Sequence, residues 1–156
     1  MKVDLTILSR PHQLSKKHIT KQVKAVLENE GVFCDEVSIV FVDTKTIKEM
    51  HQIHFNDPTT TDCITFPIDE EDSLDYQYLG EVFVCPETAI TYAEKHSICP
   101  FDETTLYLIH GLMHLIGYDD IQEKDKEIMR KKEKYYMQLL KDNKLGICAK
   151  HTKLWA

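Results

Sequence analysis

The sequence predicts an α+β domain with a mixed β-sheet of about four strands and about five helices. Four short stretches are β-branched or alternate apolar with polar residues, and five longer stretches place apolar residues at helical spacing. The 156 residues suffice for one domain with a substantial core and are too few for two ordinary ones. The sequence shows no repeat, low-complexity segment or linker, so we expect a single domain over residues 1–156.

The predicted strands are short and are bounded by turn residues or by proline. In the first strand, Val3, Leu5 and Ile7 alternate with polar neighbours, which is typical of a half-buried strand. Pro67 stops the third strand because proline cannot donate a ladder hydrogen bond. The four predicted strands are Lys2–Leu8, Val37–Val42, Cys63–Phe66 and Leu79–Val84.

The predicted helices begin and end at capping or helix-breaking residues. Ser15 can cap the first helix, and Gly31 suits the position just beyond its end. Pro86 suits the first turn of another helix, and Gly117 ends the most apolar one. The five predicted helices run from Ser15 to about Glu30, from Asp43 or Thr44 to the Asn56-Asp57-Pro58 sequence, from Pro86 to about His96, over Phe101–Ile116 and over Ile121–Lys141. Outside them lie an acidic loop, Asp69–Gln77, and the tail 145–156, which has no clear pattern.

Charge and cysteine content exclude several classes of protein. The formal net charge of −7 argues against broad, non-specific nucleic-acid binding, which neutralises phosphates with Lys and Arg. The five cysteines form no C-x-x-C pair, so we expect reduced thiols rather than a disulfide framework or a four-cysteine zinc site. No apolar run is long enough to span a bilayer and no signal peptide is evident, so we expect a cytoplasmic protein without a membrane partner.

The stretch His110–Asp120, HGLMHLIGYDD, predicts a metal site. His110 and His114 stand four residues apart, so one helix face can aim both imidazoles at one point. Gly117 lets the chain turn back, and either Asp119 or Asp120 can then add a carboxylate oxygen; the spacing does not choose between them. Two histidines and one carboxylate leave a position for water, as in catalytic zinc sites.

Two other interpretations of this helix remain open. Histidines four residues apart can be core or boundary residues that form hydrogen bonds with the backbone, without a metal. The helix face Leu106, Ile109, His110, Met113 and His114 points both imidazoles toward the buried side, where they need partners. A metallopeptidase helix carries a general-base Glu directly after the first His, but this chain has Gly111 there, which disfavours a peptidase.

Four stretches together resemble the YbeY family of bacterial single-strand-specific endoribonucleases, which mature ribosomal RNA. HGLMHLIGYDD is similar to the family pattern H-G-x-L-H-L-x-G-Y-D-H, with Met113 in place of a Leu. TDCITFP (Thr61–Pro67) is similar to T-D-V-L-S-F-P, and LGEVFVCPETA (Leu79–Ala89) to G-D-I-x-I-S. Met129 and Glu133 also fall at the family's spacing, so the resemblance covers about residues 45 to 135 in order.

The resemblance implies one divalent ion in a cleft beside the sheet, held by His110, His114 and Asp120. Asp120 is preferred to Asp119 on this ground alone, since it stands where the family has a third histidine. Aspartate can bind zinc, but its charge makes the ion a weaker Lewis acid than a third imidazole would. Zn²⁺ is therefore the expected ion, with Mn²⁺ or another divalent metal as the alternative.

Several further residues are candidates for the surroundings of the metal. Asp62 and Glu81 are candidates for orienting a ligand histidine. The family arginine that is thought to face phosphate aligns with Phe55, so His51 or His54 is the candidate substrate contact. Three lysines of the first predicted helix fall roughly on one side and could follow an RNA backbone: Lys16, Lys17 and Lys24.

The expected function is therefore metal-dependent cleavage of single-stranded RNA in ribosomal RNA maturation, at the 3′ end of the small-subunit RNA, and in ribosome quality control. Its expected partners are single-stranded or ribosomal RNA and components of the small ribosomal subunit. Two alternatives are a non-catalytic, ribosome-associated RNA-binding protein and a metal-dependent hydrolase of another substrate.

Overall fold

The computed structural model describes residues 1–57, 61–68 and 75–146 and contains every predicted strand and helix, with ends shifted by only a few residues. The strands are β1 Lys2–Ile7, β2 Glu36–Phe41, β3 Cys63–Pro67 and β4 Tyr78–Val84. The helices are α1 Lys16–Asn29, α2 Thr44–Phe55, α3 Pro86–His96, α4 Pro100–Leu115 and α5 Glu123–Asp142. Most of the predicted acidic loop, and the tail from residue 147 onward, lie outside the described residues. In the part described, no helix has the length and apolarity needed to cross a membrane.

The four strands form one sheet in the order β1-β2-β4-β3. β1 and β4 both run parallel to β2, whereas β3 pairs with β4 antiparallel. The predicted mixed α+β sheet is thereby confirmed. Because α3 follows β4 directly along the chain, it begins at the end of the sheet where Val84 pairs with Cys63.

The main hydrophobic core lies between one face of the sheet and the helices α1, α4 and α5. Ile39 and Val82 belong to the sheet side of this core, and Val26, Leu112 and Tyr136 to the helix side; all five are fully buried. α2 contributes to a separate, smaller cluster around Ile47 and Ile64. Because side chains alternate along a strand, β3 and β4 contribute to both clusters.

Helix α4 carries both predicted ligand histidines and packs closely against the sheet. Pro100 occupies its first turn, where proline is tolerated, and Asp102 and Glu103 complement the positive end of the helix dipole. A Cβ at Gly111 would lie 2.5 Å from Cγ1 of Val82, so only glycine permits this approach. Gly117 has a φ of +110°, a conformation that favours glycine and that turns the chain back toward the helix.

Candidate metal centre

Three side-chain atoms converge where α4 meets the loop that follows it. The Nε2 atoms of His110 and His114 lie 3.1 Å apart. Oδ2 of Asp120 lies 3.5 Å from the first and 3.4 Å from the second. The histidine side chains are 20% and 26% exposed, so they stand at the boundary of the core rather than inside it. The three residues thus form a cluster that could hold a metal ion.

The spacing of these atoms agrees with a tetrahedral metal site. A zinc ion with bonds of about 2.05 Å and tetrahedral angles separates any two of its ligand atoms by about 3.3 Å. The observed separations of 3.1, 3.4 and 3.5 Å bracket that value. Three protein donors of this kind leave a coordination position open, as catalytic zinc sites do.

The ring of His114 is oriented by the backbone of the following loop. Its Nδ1 lies 3.1 Å from the carbonyl oxygen of Tyr118. Because a carbonyl can only accept, Nδ1 must carry the proton, and the neutral ring then presents a lone pair at Nε2. This partnership fixes the tautomer that a metal ion requires.

The ring of His110 is oriented by α5. Its Nδ1 lies 3.1 Å from Oε1 of Glu133, the carboxylate–histidine arrangement that commonly supports metal ligands. Burial lowers the pKa of His110, but the Glu133 hydrogen bond and the nearby charges of Asp62, Glu133 and Asp120 outweigh it, so the pKa lies above its usual value. The carboxylates around His110 therefore favour a positive charge at this position.

Asp62, one of the two candidates for orienting a ligand histidine, lies beside the cluster. It lines a cavity of about 170 Å³ together with His110 and Asp120. Its Oδ1 accepts hydrogen bonds from the Cys63 backbone N–H at 2.8 Å and from the Thr61 hydroxyl at 3.3 Å. Burial and the neighbouring Asp62 raise the pKa of the Cys63 thiol, which keeps it protonated.

A second polar cluster, which we call the Glu30 cluster, supports the loop from behind. The carboxylate of Glu30, with a side chain only 6% exposed, accepts from Tyr118 at 2.7 Å, from Lys132 at 2.9 Å and from Tyr136. Since the carbonyl of Tyr118 holds His114, Glu30 connects the end of α1 and the packed side of α5 to the metal cluster.

The structure places the other predicted residues away from this point. Glu81 neighbours Val82, which packs against α4, so the alternation of β4 directs the Glu81 side chain to the opposite face of the sheet. An orienting role for Glu81 toward either histidine is therefore not supported. Asp119 is exposed, and its carboxylate accepts from the Asp120 backbone N–H.

The two candidate substrate histidines lie on α2. The ring of His54 packs on Phe66 and that of His51 on Phe55, with centroid distances of 4.8 and 5.4 Å. Neither histidine lines the cavity at the metal cluster. The α1 lysines likewise contribute nothing to that cavity among the described residues.

Sequence reasoning missed the basic residues that α5 brings to the site. Lys126 and Arg130 line the cavity with His110 and Asp120. They are four residues apart on a helix whose charges are mixed in sign, so no simple charge run revealed them. The family pattern did indicate Glu133, and Lys126 and Arg130 precede it by seven and three residues, which places all three on one side of a helix. That spacing was the available signal. Glu30 gave no signal, because its partners are 88 to 106 residues away.

This fold and cluster define a class: α+β proteins in which one helix and the loop after it bring two histidines and a carboxylate around one prospective metal position. The chain belongs to the endoribonuclease YbeY family, whose model matches residues 5–141. That match extends well beyond the stretch over which the motifs resemble the family.

Relatives of this chain agree with that assignment. The endoribonuclease YbeY of Protochlamydia amoebophila (strain UWE25) is 54% identical over 125 residues, which cover 80% of this chain and 83% of the relative. The endoribonuclease YbeY of Chlamydia pneumoniae is 35% identical, covering 79% and 80%. The solution structure of TM1509 from Thermotoga maritima has the same fold, with a TM-score of 0.63, 23% identity and 97% coverage of both chains.

Proposed function

We propose that the protein is a metal-dependent, single-strand-specific endoribonuclease. The observation that carries the proposal is the convergence of His110, His114 and Asp120, with separations that match a tetrahedral ion. Membership of the endoribonuclease YbeY family supplies the reaction class and an RNA substrate. We place the activity in maturation of the 3′ end of small-subunit ribosomal RNA and in ribosome quality control, in the cytoplasm and with small-subunit components as partners.

Zn²⁺ is the ion we propose for this site, as a single ion. Two imidazoles and one carboxylate suit zinc, and the half-buried position excludes much of the water that larger, harder ions retain. The carboxylate also makes Mn²⁺ compatible. When bound, the ion would supply positive charge beside a phosphoryl group and acidify a water molecule.

The residues of the chain prepare the site for that chemistry. Glu133 and the Tyr118 carbonyl hold the imidazoles so that both Nε2 lone pairs face Asp120. Lys126 and Arg130 add positive charge at the mouth of the cavity, where an RNA phosphate would enter. Asp62, anchored by the Cys63 N–H, stands on the cavity wall where it can hold a proton or orient the attacking oxygen.

One observation favours the second candidate, a non-catalytic RNA-binding protein of the same family. Phe55 occupies the position of the family arginine and is 55% exposed at the end of α2, with no basic side chain in its place. Peptide hydrolysis is disfavoured by structure as well as by sequence. Gly111, where a peptidase carries its general base, faces Val82 and leaves no room for a carboxylate.

Cleavage of labelled RNA by the purified chain tests the proposal. We expect single-stranded RNA to be cut, double-stranded RNA to be spared, and activity to disappear with a chelator and return with Zn²⁺ or Mn²⁺. His114→Ala should lose both metal and cleavage, whereas His96→Ala, on exposed α3, should retain both. Cleavage that survives His114→Ala would come from a contaminant. Metal binding without any cleavage would instead select the non-catalytic candidate.

A further inference from the structure

A larger cavity adjoins the metal cluster along α5, and we call it the α5 groove. It has a volume of about 900 Å³ and runs between α5 and the helices α4 and α1. From α5 it is lined by Arg130, Lys134, Met137 and Lys141. Leu106, Arg130 and Glu133 line both this groove and the metal-site cavity, so the two are continuous.

Basic residues of the metal-site cavity and of the α5 groove lie along one side of the helix. Lys126, Arg130, Lys134 and Lys141 are separated by four, four and seven residues, spacings that return to nearly the same direction on an α-helix. From Lys126 at the metal site to Lys141, the row spans about 22 Å at 1.5 Å per residue. Lys144, just beyond the helix, extends it.

These cations are available to an anion. Among the described residues, none of the five has a carboxylate within 4.0 Å, whereas Lys132 on the packed side of α5 is paired with Glu30 at 2.9 Å. Four of the six ionisable residues that line the groove are basic, in a chain whose net charge is −7. The two acidic ones are Asp102 and Glu133, and Glu133 is already engaged by His110. The groove therefore carries a local excess of positive charge in a chain that is acidic overall.

We infer that the α5 groove holds the phosphate backbone of single-stranded RNA and leads it to the metal cluster. The inference rests on the proposed function for its substrate class. A row of cations with no carboxylate within 4.0 Å among the described residues, continuous with the metal-site cavity, suits a polyanion, and it replaces the positive charge that Phe55 cannot provide on α2. No aromatic side chain lines the groove among the described residues, so it contacts the backbone and tolerates any base sequence.

RNA binding by a cleavage-silent protein tests the groove separately from catalysis. The full-length His114→Ala chain is titrated onto fluorescein-labelled, mixed-sequence single-stranded RNA, with anisotropy as the signal and salt as the variable. Arg130→Ala/Lys134→Ala is compared with Lys124→Ala/Lys131→Ala. Both pairs remove two positive charges from exposed positions of α5, but Lys124 and Lys131 do not line the groove.

The groove pair should lower the slope of log affinity against log salt by about 1.4, and affinity at about 0.1 M salt by about 25-fold, because each phosphate contact on a single strand contributes about 0.7. The control pair should change neither. Equal losses of RNA affinity in both pairs, or no loss in the groove pair, would contradict RNA binding by the α5 groove while leaving the proposed function intact. Failure of the His114→Ala parent to bind any RNA would count against the proposed function itself.

Discussion

The packed side and the groove side of α5 use the same kinds of residue for opposite purposes. On the packed side, Lys132 and Tyr136 both donate to Glu30, so a positive charge and a buried hydroxyl are satisfied internally. On the groove side, Arg130 and Lys134 have no carboxylate within 4.0 Å among the described residues. The comparison teaches that a basic residue stabilises the fold when a carboxylate on another element pairs with it. Without such a carboxylate, the basic residue is available to bind an anion.

Glu30→Ala should have the largest effect on stability. It removes the shared acceptor of three donors, the Lys132 ammonium and the hydroxyls of Tyr118 and Tyr136, and leaves the fully buried Tyr136 only the longer contact with Oδ1 of Asn29 at 3.4 Å. We expect the free energy of unfolding to fall by about 3 kcal/mol. Urea denaturation measures this loss, and Glu28→Ala, at an exposed position two residues away, is the control. Equal small losses of stability in both variants would show that the Glu30 cluster does not stabilise the fold.

Acid should destabilise the packed side of α5 through protonation of Glu30. Burial raises the pKa of Glu30, but its hydrogen bonds with Tyr136, Lys132 and Tyr118 and the charge of Lys132 outweigh burial, so its pKa lies below the ordinary value of 4.5. A depressed carboxyl pKa gives stability that is complete above 4.5 and is lost as the pH falls through the lower, folded value. Urea midpoints measured below pH 4.5 should therefore fall more steeply for the wild type than for Glu30→Gln. Parallel curves would contradict this assignment.

Glu133→Gln tests how the carboxylate of α5 that contacts His110 affects metal affinity. The substitution keeps the shape of the side chain but removes the charge that supports His110. Loss of such a supporting carboxylate typically weakens metal affinity 10- to 100-fold. Competition with a chromogenic chelator for Zn²⁺ measures the change, with Glu127→Gln, on the exposed surface of α5, as the control. Unchanged zinc affinity would show that the His110–Glu133 contact does not tune the site.

Tyr136→Phe and Tyr135→Phe form a matched pair on adjacent residues. Tyr136 is fully buried and donates to Glu30, whereas Tyr135 is 51% exposed. The first substitution should destabilise the protein by about 1–2 kcal/mol and the second by less than about 0.5 kcal/mol. Thermal unfolding with and without Zn²⁺ resolves the difference. A cost that is equal at both positions would mean that the hydroxyl of Tyr136 contributes nothing specific.

The groove side should show the smallest effect on folding. Removing Arg130 and Lys134 takes away no internal partner, so we expect the urea midpoint to stay within about 0.5 kcal/mol of the wild type. The same variant should still lose RNA affinity. A loss of stability as large as that of Glu30→Ala would instead show that Arg130 and Lys134 stabilise the fold, as Lys132 does.

Much of the site could be predicted from the sequence because its residues lie close together along the chain. His110, His114 and Asp120 lie within eleven residues, and helical spacing followed by a glycine turn dictates how they can meet. Asp62 was indicated by a family motif and does line the cavity. Glu81 was indicated in the same way and faces away, because the alternation of β4 assigns it to the other side of the sheet.

The sequence by itself determined the fold class, the order of strands and helices, and the histidine pair with its returning carboxylate, since periodicity and turn residues act over a few neighbouring positions. Only the tertiary structure decided that Glu30 supports the loop and which side of α5 faces the groove. Those outcomes depend on contacts between residues up to 106 positions apart. Such contacts are set by packing against the sheet, and no local pattern encodes them.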